Sequence, residues 1–312
     1  MPERSDLYKL IARNKRGTVF FLFLIVLLLA AVGAGMGAYF GWGWEIYALF
    51  ALGIVVYNLV LYYNSDRIAL AVNGARPADP VAHRQLHNVV EEVAIAAGLP
   101  KPRVFVMNTM APNAFATGRK PEKAAIAVTE GLLRMMNREE IQGVVAHEMA
   151  HIRNYDILMM TVVAIVGGLI ILLRDVFLRF GIFFGGGRRR RSSGRGGGQA
   201  GAILAVVGIA LAILAPLLVA LIRSAISRQR EFLADASGAF IVRNPHGLAS
   251  ALAKLGQTDE KLITASDATA HMFIASPFAR DRRATANWFA SHPPLAERVR
   301  RLRSLTLPEP AD

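Results

Sequence analysis

Two long apolar runs near the start of the chain restrict its possible folds more than any other feature. Thr18 to Phe40 is 23 residues without a charge, and Trp42 to Tyr63 follows with Glu45 as its single charged residue. A helix of about 20 apolar residues crosses a hydrocarbon core of about 30 Å, so each run is long enough to span. Gly41 between them leaves room only for a tight turn, which predicts a helical hairpin. Trp42, Trp44, Tyr62 and Tyr63 stand at the ends of the second run, where interfacial aromatics collect. Lys9, Arg13, Lys15 and Arg16 ahead of small residues at Ala31–Ala34 imitate a signal peptide. The apolar stretch is too long for one and is followed at once by another, so we expect it to be retained.

The charge agrees with a membrane protein once it is located. The net charge is +13, with 19% charged residues and a mean hydropathy of +0.36. Residues 1–17 carry five basic and two acidic groups, and residues 174–199 carry seven Arg and one Asp. Most of the excess therefore sits in two short segments beside apolar runs. This apolar content excludes disorder. The absence of cysteine excludes a disulfide scaffold, a thiol nucleophile and a thiolate zinc site.

Ile157 to Leu173 is a third apolar run, and Ala200 to Ile222 a fourth, interrupted by Pro216. Between them Gly185–Gly187, Arg188–Arg191 and the glycines around Arg195 form a basic, low-complexity tip. The polar remainder, 64–156 and 223–312, reads as an α+β catalytic unit split by this second hairpin. Val81–Ala97 has helical spacing and ends at Gly98, a C-terminal cap. Arg103–Met107, Ala114–Thr117 and Lys123–Val128 are short and β-like. Helices are expected over Gly131–Met136, Arg138–Asn154, Arg223–Val242, Pro245–Leu255 and Pro294–Leu305. The expected divisions are thus a basic tail (1–17), a transmembrane hairpin (18–63), a leading catalytic segment (64–156), a second hydrophobic hairpin (157–222) and a closing catalytic segment (223–312).

The sequence H-E-M-A-H at 147–151 places His147 and His151 four residues apart, on one face of a helix, where both imidazoles reach one ion. Glu148 lies one step round, placed to contact a metal-bound water without ligating. His83 and His87 repeat the spacing, but Arg84 stands where the glutamate would be. They read as the polar face of an ordinary helix. A catalytic tetrahedral site needs a third protein ligand and an open position. With no cysteine and no third histidine nearby, a carboxylate on another helix is the expected source. Glu231 in R-E-F-L-A-D is the best placed, with Asp235 four residues on to accept the free ring N–H of a ligating histidine. Spacing alone equally allows Glu231 and Asp235 to be a solvated acidic face paired with Arg228 and Arg230.

His147–Asp156 together with R-E-F-L-A-D-A-S-G-A (Arg230–Ala239) resembles the HtpX family of membrane zinc metalloproteases, relatives of the CAAX prenyl protease. A-P-N-A-F-A-T-G (Ala111–Gly118), S-H-P-P-L-A-E-R-V-R-R-L (Ser291–Leu302) and the order of segments extend the resemblance over nearly the whole chain. It implies a multi-pass α-helical membrane protein with an α+β zincin-like (gluzincin) catalytic domain. It also implies one zinc ion on His147, His151 and Glu231, and Glu148 as general base. His292 and Arg298 would oppose oxyanion charge. Asn113, Ala114, Phe115 and Ala116 would line the cleft as an edge strand that pairs with extended substrate. Without the resemblance, His292 reads as a turn residue and Arg298 as one arginine of a basic helix. The Gly/Arg-rich tip matches no family motif.

The function implied is endoproteolysis of polypeptides, membrane proteins among them, in quality control at the bacterial inner membrane. Nucleic acid is not expected, since Arg188–Arg191 lacks interleaved aromatics. Lipid headgroups are its more natural contact. Twelve basic residues at membrane ends on the catalytic side, Arg13, Lys15 and Arg223 among them, face seven at the tip, which places the active site in the cytoplasm. Those seven arginines oppose the spanning of 157–222. Two other readings remain: a non-catalytic membrane protein with a structural metal, and a prenyl-protein processing protease.

Overall fold

The structure is a computed structural model that describes residues 4–163, 228–258, 272–275 and 293–305. The apolar run Ala200–Ile222, the tip 174–199, the third run beyond 163 and His292 lie outside the described residues.

Helix α1 (Arg4–Phe40) and helix α2 (Trp44–Val72) are the two arms of the expected hairpin. The basic tail expected over 1–17 is helical from Arg4 and continues into the first apolar run. Arg4–Arg16 contains neither Gly nor Pro and is rich in Leu, Ala, Lys and Arg, which favour helix. Gly41 turns the chain with φ of +65°, the left-handed region open to glycine without steric cost. Trp44, Leu49, Leu52, Val55 and Leu59 of α2 are exposed, as are Val19, Phe20 and Phe23 of α1. Among the described residues, α2 is a helix long and apolar enough to cross a membrane. At 1.5 Å per residue its 29 residues extend about 43 Å, which exceeds the hydrocarbon thickness. Its end therefore reaches the polar unit. There Ala69 and Leu70 pack on the sheet, and Asp66 pairs with Arg103.

The polar unit holds a four-stranded sheet in the order β1-β2-β4-β3, built from β1 (Ala75–Pro77), β2 (Arg103–Met107), β3 (Ala114–Thr117) and β4 (Ala125–Thr129). β2 and β4 run parallel; β1 and β3 pair antiparallel at the two edges. Period-two alternation divides its faces. Val104, Val106, Ala114, Ala116, Ile126 and Val128 meet the helical core, while Phe105, Met107, Phe115, Ala125 and Ala127 meet the end of α2 and Met272–Phe273. β1 has only three residues, too short for a pattern to show in sequence.

Helix α3 (Arg84–Ala97) buries Leu86, Val89, Val90 and Val93 in the core it shares mainly with the HExxH helix, and ends at Gly98 in the left-handed region. It begins three residues later than the expected Val81, because the Asp79 carboxylate accepts the N–H groups of Val81 and Ala82 and holds them in a turn. Helix α4 (Glu130–Met135) leads into α5 (Arg138–Arg153), the centre of the core, with Ile141 and every residue from Gly143 to Ile152 buried. A capping box starts it: Asn137 accepts from the Glu140 N–H, and the Glu140 carboxylate accepts from Asn137 N–H. Helices α6 (Arg228–Val242), α7 (Pro245–Leu255) and α8 (Leu295–Arg303) close the unit. Two glycines set how near α5 they come. A Cβ on Gly238 of α6 would lie 2.9 Å from His147 N, and one on Gly143 of α5 would lie 2.4 Å from Leu248 N.

Candidate metal centre

α5 presents His147 and His151 on one face, and α6 brings Glu231 to them at near-backbone contact. His147 Nε2 and His151 Nε2 are 3.2 Å apart. The Glu231 carboxylate lies 3.8 Å from the first and 3.5 Å from the second. All three side chains are buried, and their ligand atoms lie within 4.8 Å of one another. The reading of Glu231 as part of a solvated face is excluded by its 1% exposure.

The other nitrogen of each ring shows what the group is built to hold. His147 Nδ1 is 2.9 Å from Asp235 Oδ1, and His151 Nδ1 is 3.0 Å from Asp156 Oδ2. A carboxylate beside Nδ1 keeps the proton there and leaves the Nε2 lone pair directed at the shared centre. Two such lone pairs and a carboxylate, converging away from water, repel one another unless a cation lies among them. Nitrogen and oxygen donors of this set suit zinc. At His151 the surrounding carboxylates draw positive charge to the site. Burial works against its charge, but Asp156, Glu231 and Glu148 outweigh burial and carry it up to about 9. At His147 burial and Arg298 prevail over Asp235, and the ring is held below its ordinary value.

Glu148 is also buried, on the side of α5 that faces β3. Burial pushes its carboxyl up to about 7, with Glu231 adding to the rise and His151, Arg298 and the Ala116 N–H opposing it. A carboxyl near neutrality accepts and returns a proton with little cost at physiological pH.

Arg298, expected beside an oxyanion, is engaged by carboxylates of the cluster itself. It is fully buried. Its Nε and Nη2 donate to Asp235 at 2.8 and 2.7 Å, and its Nη1 donates to the Ile274 carbonyl at 2.8 Å. Nη1 also lies 3.4 Å from Glu231 Oε2, and Nη2 lies 3.4 Å from the His147 ring nitrogens. A bidentate fork of this kind fixes Asp235 and, through it, His147. Asp235 is correspondingly acidic: burial would raise its carboxyl, but Arg298 and His147 hold it low.

Asn113 to Ala116 lie close by, on β3 at the edge of the sheet, but that edge is already paired. Ile274 N donates to Ala114 O at 3.0 Å, and Phe115 and Phe273 form an antiparallel bridge with their rings in edge contact. The Asn113 amide donates to the Ala275 carbonyl. The expected open strand therefore meets residues 272–275 of its own chain, brought there by a contact 162 positions distant in sequence that no local pattern encodes. His83 and His87 are structural: His83 pairs with Glu130 at 3.0 Å, and His87 with the Ala78 carbonyl at 3.1 Å. Sequence reasoning missed Asp156. Its signal was its place five residues after His151, within reach once the helix ends at Asn154.

The chain matches the signature of peptidase family M48 over residues 80–306. It is 58% identical over 307 residues to "Protease HtpX homolog" of Caldanaerobacter subterraneus subsp. tengcongensis, covering 97% of this chain and 99% of that protein. It is 55% identical over 304 residues to the protein of the same description from Thermoanaerobacter pseudethanolicus, with the same coverage. The crystal structure of Ste24p from S. mikatae superposes with a TM-score of 0.48 at 18% identity, over 95% of this chain and 67% of that one. The family match runs from the turn before α3 past the end of α8, through every element that contributes to the cluster, and the chain accordingly belongs to peptidase family M48 and is a metalloprotease.

Proposed function

We propose that this metalloprotease is a zinc endopeptidase of the bacterial inner membrane that hydrolyses peptide bonds at the cytoplasmic surface. The observation that carries the reading is the convergence of His147 Nε2, His151 Nε2 and Glu231 beside a buried, near-neutral Glu148. His147, His151 and Glu231 would hold one zinc ion, which when bound acidifies water and polarises a peptide carbonyl. Glu148 takes the proton of the attacking water and returns it to the leaving amine. Asp235 and Asp156 hold the two histidine rings, and Arg298 holds Asp235. The oxyanion role belongs in this proposal to His292. Asn113–Ala116 form one wall of the site, and a substrate that pairs with β3 must displace residues 272–275.

The membrane placement rests on the α1–α2 hairpin, whose second arm continues into the sheet, and on the excess of basic residues on the catalytic side. A centre joined to membrane helices in this way reaches the loops and unfolded termini of membrane proteins, which supports a role in their quality control. Residues 157–222 form, in this reading, the second membrane hairpin. The test is cleavage of a model membrane protein by the purified chain. Glu148→Gln is expected to abolish cleavage while keeping zinc. Unchanged turnover by the metal-loaded variant overturns the assignment, and so does a Glu231→Ala variant with undiminished zinc affinity.

A further inference from the structure

His151 is held by Asp156, and Asp156 is held by the first apolar helix. Asn14 of α1 is fully buried. Its amide donates to Asp156 Oδ1 at 2.5 Å and to the Asn154 carbonyl at 3.0 Å, contacts 142 and 140 positions apart in sequence. Turning the amide over would aim its oxygen at a carboxylate and a carbonyl, so this orientation is the one the surroundings allow.

Those two acceptors flank Tyr155, whose φ of +59° is left-handed and costly for a side chain of this size. This turn carries the chain off the end of α5 and brings Asp156 back to His151 Nδ1. Asn14 thus ties together both sides of the strained turn on which the His151 partner depends. Lys15 adds a contact at the same place, its Nζ 4.7 Å from the Tyr155 ring centroid. Arg230 lies 3.6 Å from the Asp156 oxygen that Asn14 binds.

Helix docking alone does not require this asparagine. Ile25 shares one buried apolar cluster with Leu61, Leu158, Met159, Val162 and Val163, which joins α1 to the segment after α5. Among the described residues the Asn14 Oδ1 has no hydrogen-bond partner. A buried polar group left half satisfied opposes stability, and its use lies in what the amide nitrogen binds.

We propose that Asn14 is a positioning residue for the catalytic centre: by fixing Asp156 and the turn before it, Asn14 orients His151, so that metal binding depends on this one polar contact made by the first apolar helix. The proposal rests on His151 being a metal ligand. The test uses the full chain in detergent or nanodiscs, with zinc affinity from a metal-buffered titration and the visible spectrum of the cobalt(II)-substituted protein. Asn14→Ala is expected to weaken zinc binding about tenfold and to alter the cobalt spectrum, as loss of a partner to a ligating histidine does. Asp156→Ala is expected to weaken it at least as much, and the double variant to match Asp156→Ala alone. Ile25→Ala is expected to lower the melting temperature without changing affinity or spectrum. The proposal is overturned if Asn14→Ala keeps both, if the two losses multiply, or if Ile25→Ala reproduces them. His151→Ala separates the two layers, since undiminished zinc affinity there rejects the metal centre itself.

Discussion

Each residue of the candidate centre is held by a neighbour outside it, and Arg298 holds the most. It neutralises Asp235 and lies beside Glu231, so its removal leaves carboxylates buried without their cation. Arg298→Met is expected to destabilise the protein by about 3–5 kcal/mol, the usual cost of stranding a buried charge. Zinc affinity should fall about 10- to 100-fold as the Asp235–His147 contact loosens. Thermal unfolding and a metal-buffered titration measure the two. Were Arg298 to act on the oxyanion alone, turnover would fall with zinc affinity intact, and this separates the two roles. The guanidinium is fully buried on α8, a helix whose other arginines, Arg300, Arg301 and Arg303, lie on its more exposed side. In the sequence these four residues look alike.

At the level of elements, α5 is positioned by its first turn as much as by its apolar core. Glu140 caps the helix, accepts from Ser250 at 2.6 Å and pairs with Lys254 at 2.7 Å, so one carboxylate joins α5 to α7. Burial alone would raise its carboxyl, but Lys254, Ser250 and the Asn137 N–H together lower it below its ordinary value of 4.5. A group whose carboxyl is more acidic when folded stabilises fully above its unfolded pKa, and that contribution is lost as pH falls through the folded value. Wild type is therefore expected to exceed Glu140→Gln by about 2 kcal/mol at neutral pH. The gap should stay constant down to about pH 5 and shrink below about pH 4.5. Chemical denaturation across that range checks it. The helix boundaries themselves were readable from local chemistry: Gly98 stops α3, Asn137 starts α5, and Asn244 with Pro245 starts α7, the Asn244 side chain accepting from His246 and Gly247 N–H.

At the scale of the molecule, among the described residues, the apolar helix α2 and the catalytic unit pack together. The end of α2 lies on the sheet, and Arg119 stacks over Tyr63, its guanidinium carbon 4.7 Å from the ring centroid. With α2 in a bilayer, as proposed, this contact would confine catalysis to the neighbourhood of the membrane surface. The topology of 157–222 follows from where its Arg-rich tip goes. The chain has no cysteine, so a single Cys at Ser193 reports without background. Labelling of intact spheroplasts by a membrane-impermeant maleimide is expected if the hairpin spans. Labelling only by a permeant reagent places the tip in the cytoplasm and rejects spanning.

The helical part of the candidate centre was legible because its spacing is local. His147, Glu148 and His151 share one helix, and the reach of an α-helix sets their relation whatever surrounds it. Long uncharged runs separated by Gly41 likewise predict a helical hairpin, which α1 and α2 form. Asp235 was readable from its i+4 relation to Glu231, but its bond to His147 depends on α6 approaching α5 at Gly238. Other relations have no local pattern, because they exist only once distant segments pack. Asn14 meets Asp156 across 142 residues, Arg298 meets Asp235 across 63, and residues 272–275 cover the edge of β3. Sequence by itself set His147 and His151 on one helix face, and only the packing of α6 on α5 brought Glu231 to them. Tertiary structure also decided what holds these side chains in place, since a buried hydrogen bond or ion pair is set by three-dimensional proximity and carries no periodicity along the chain.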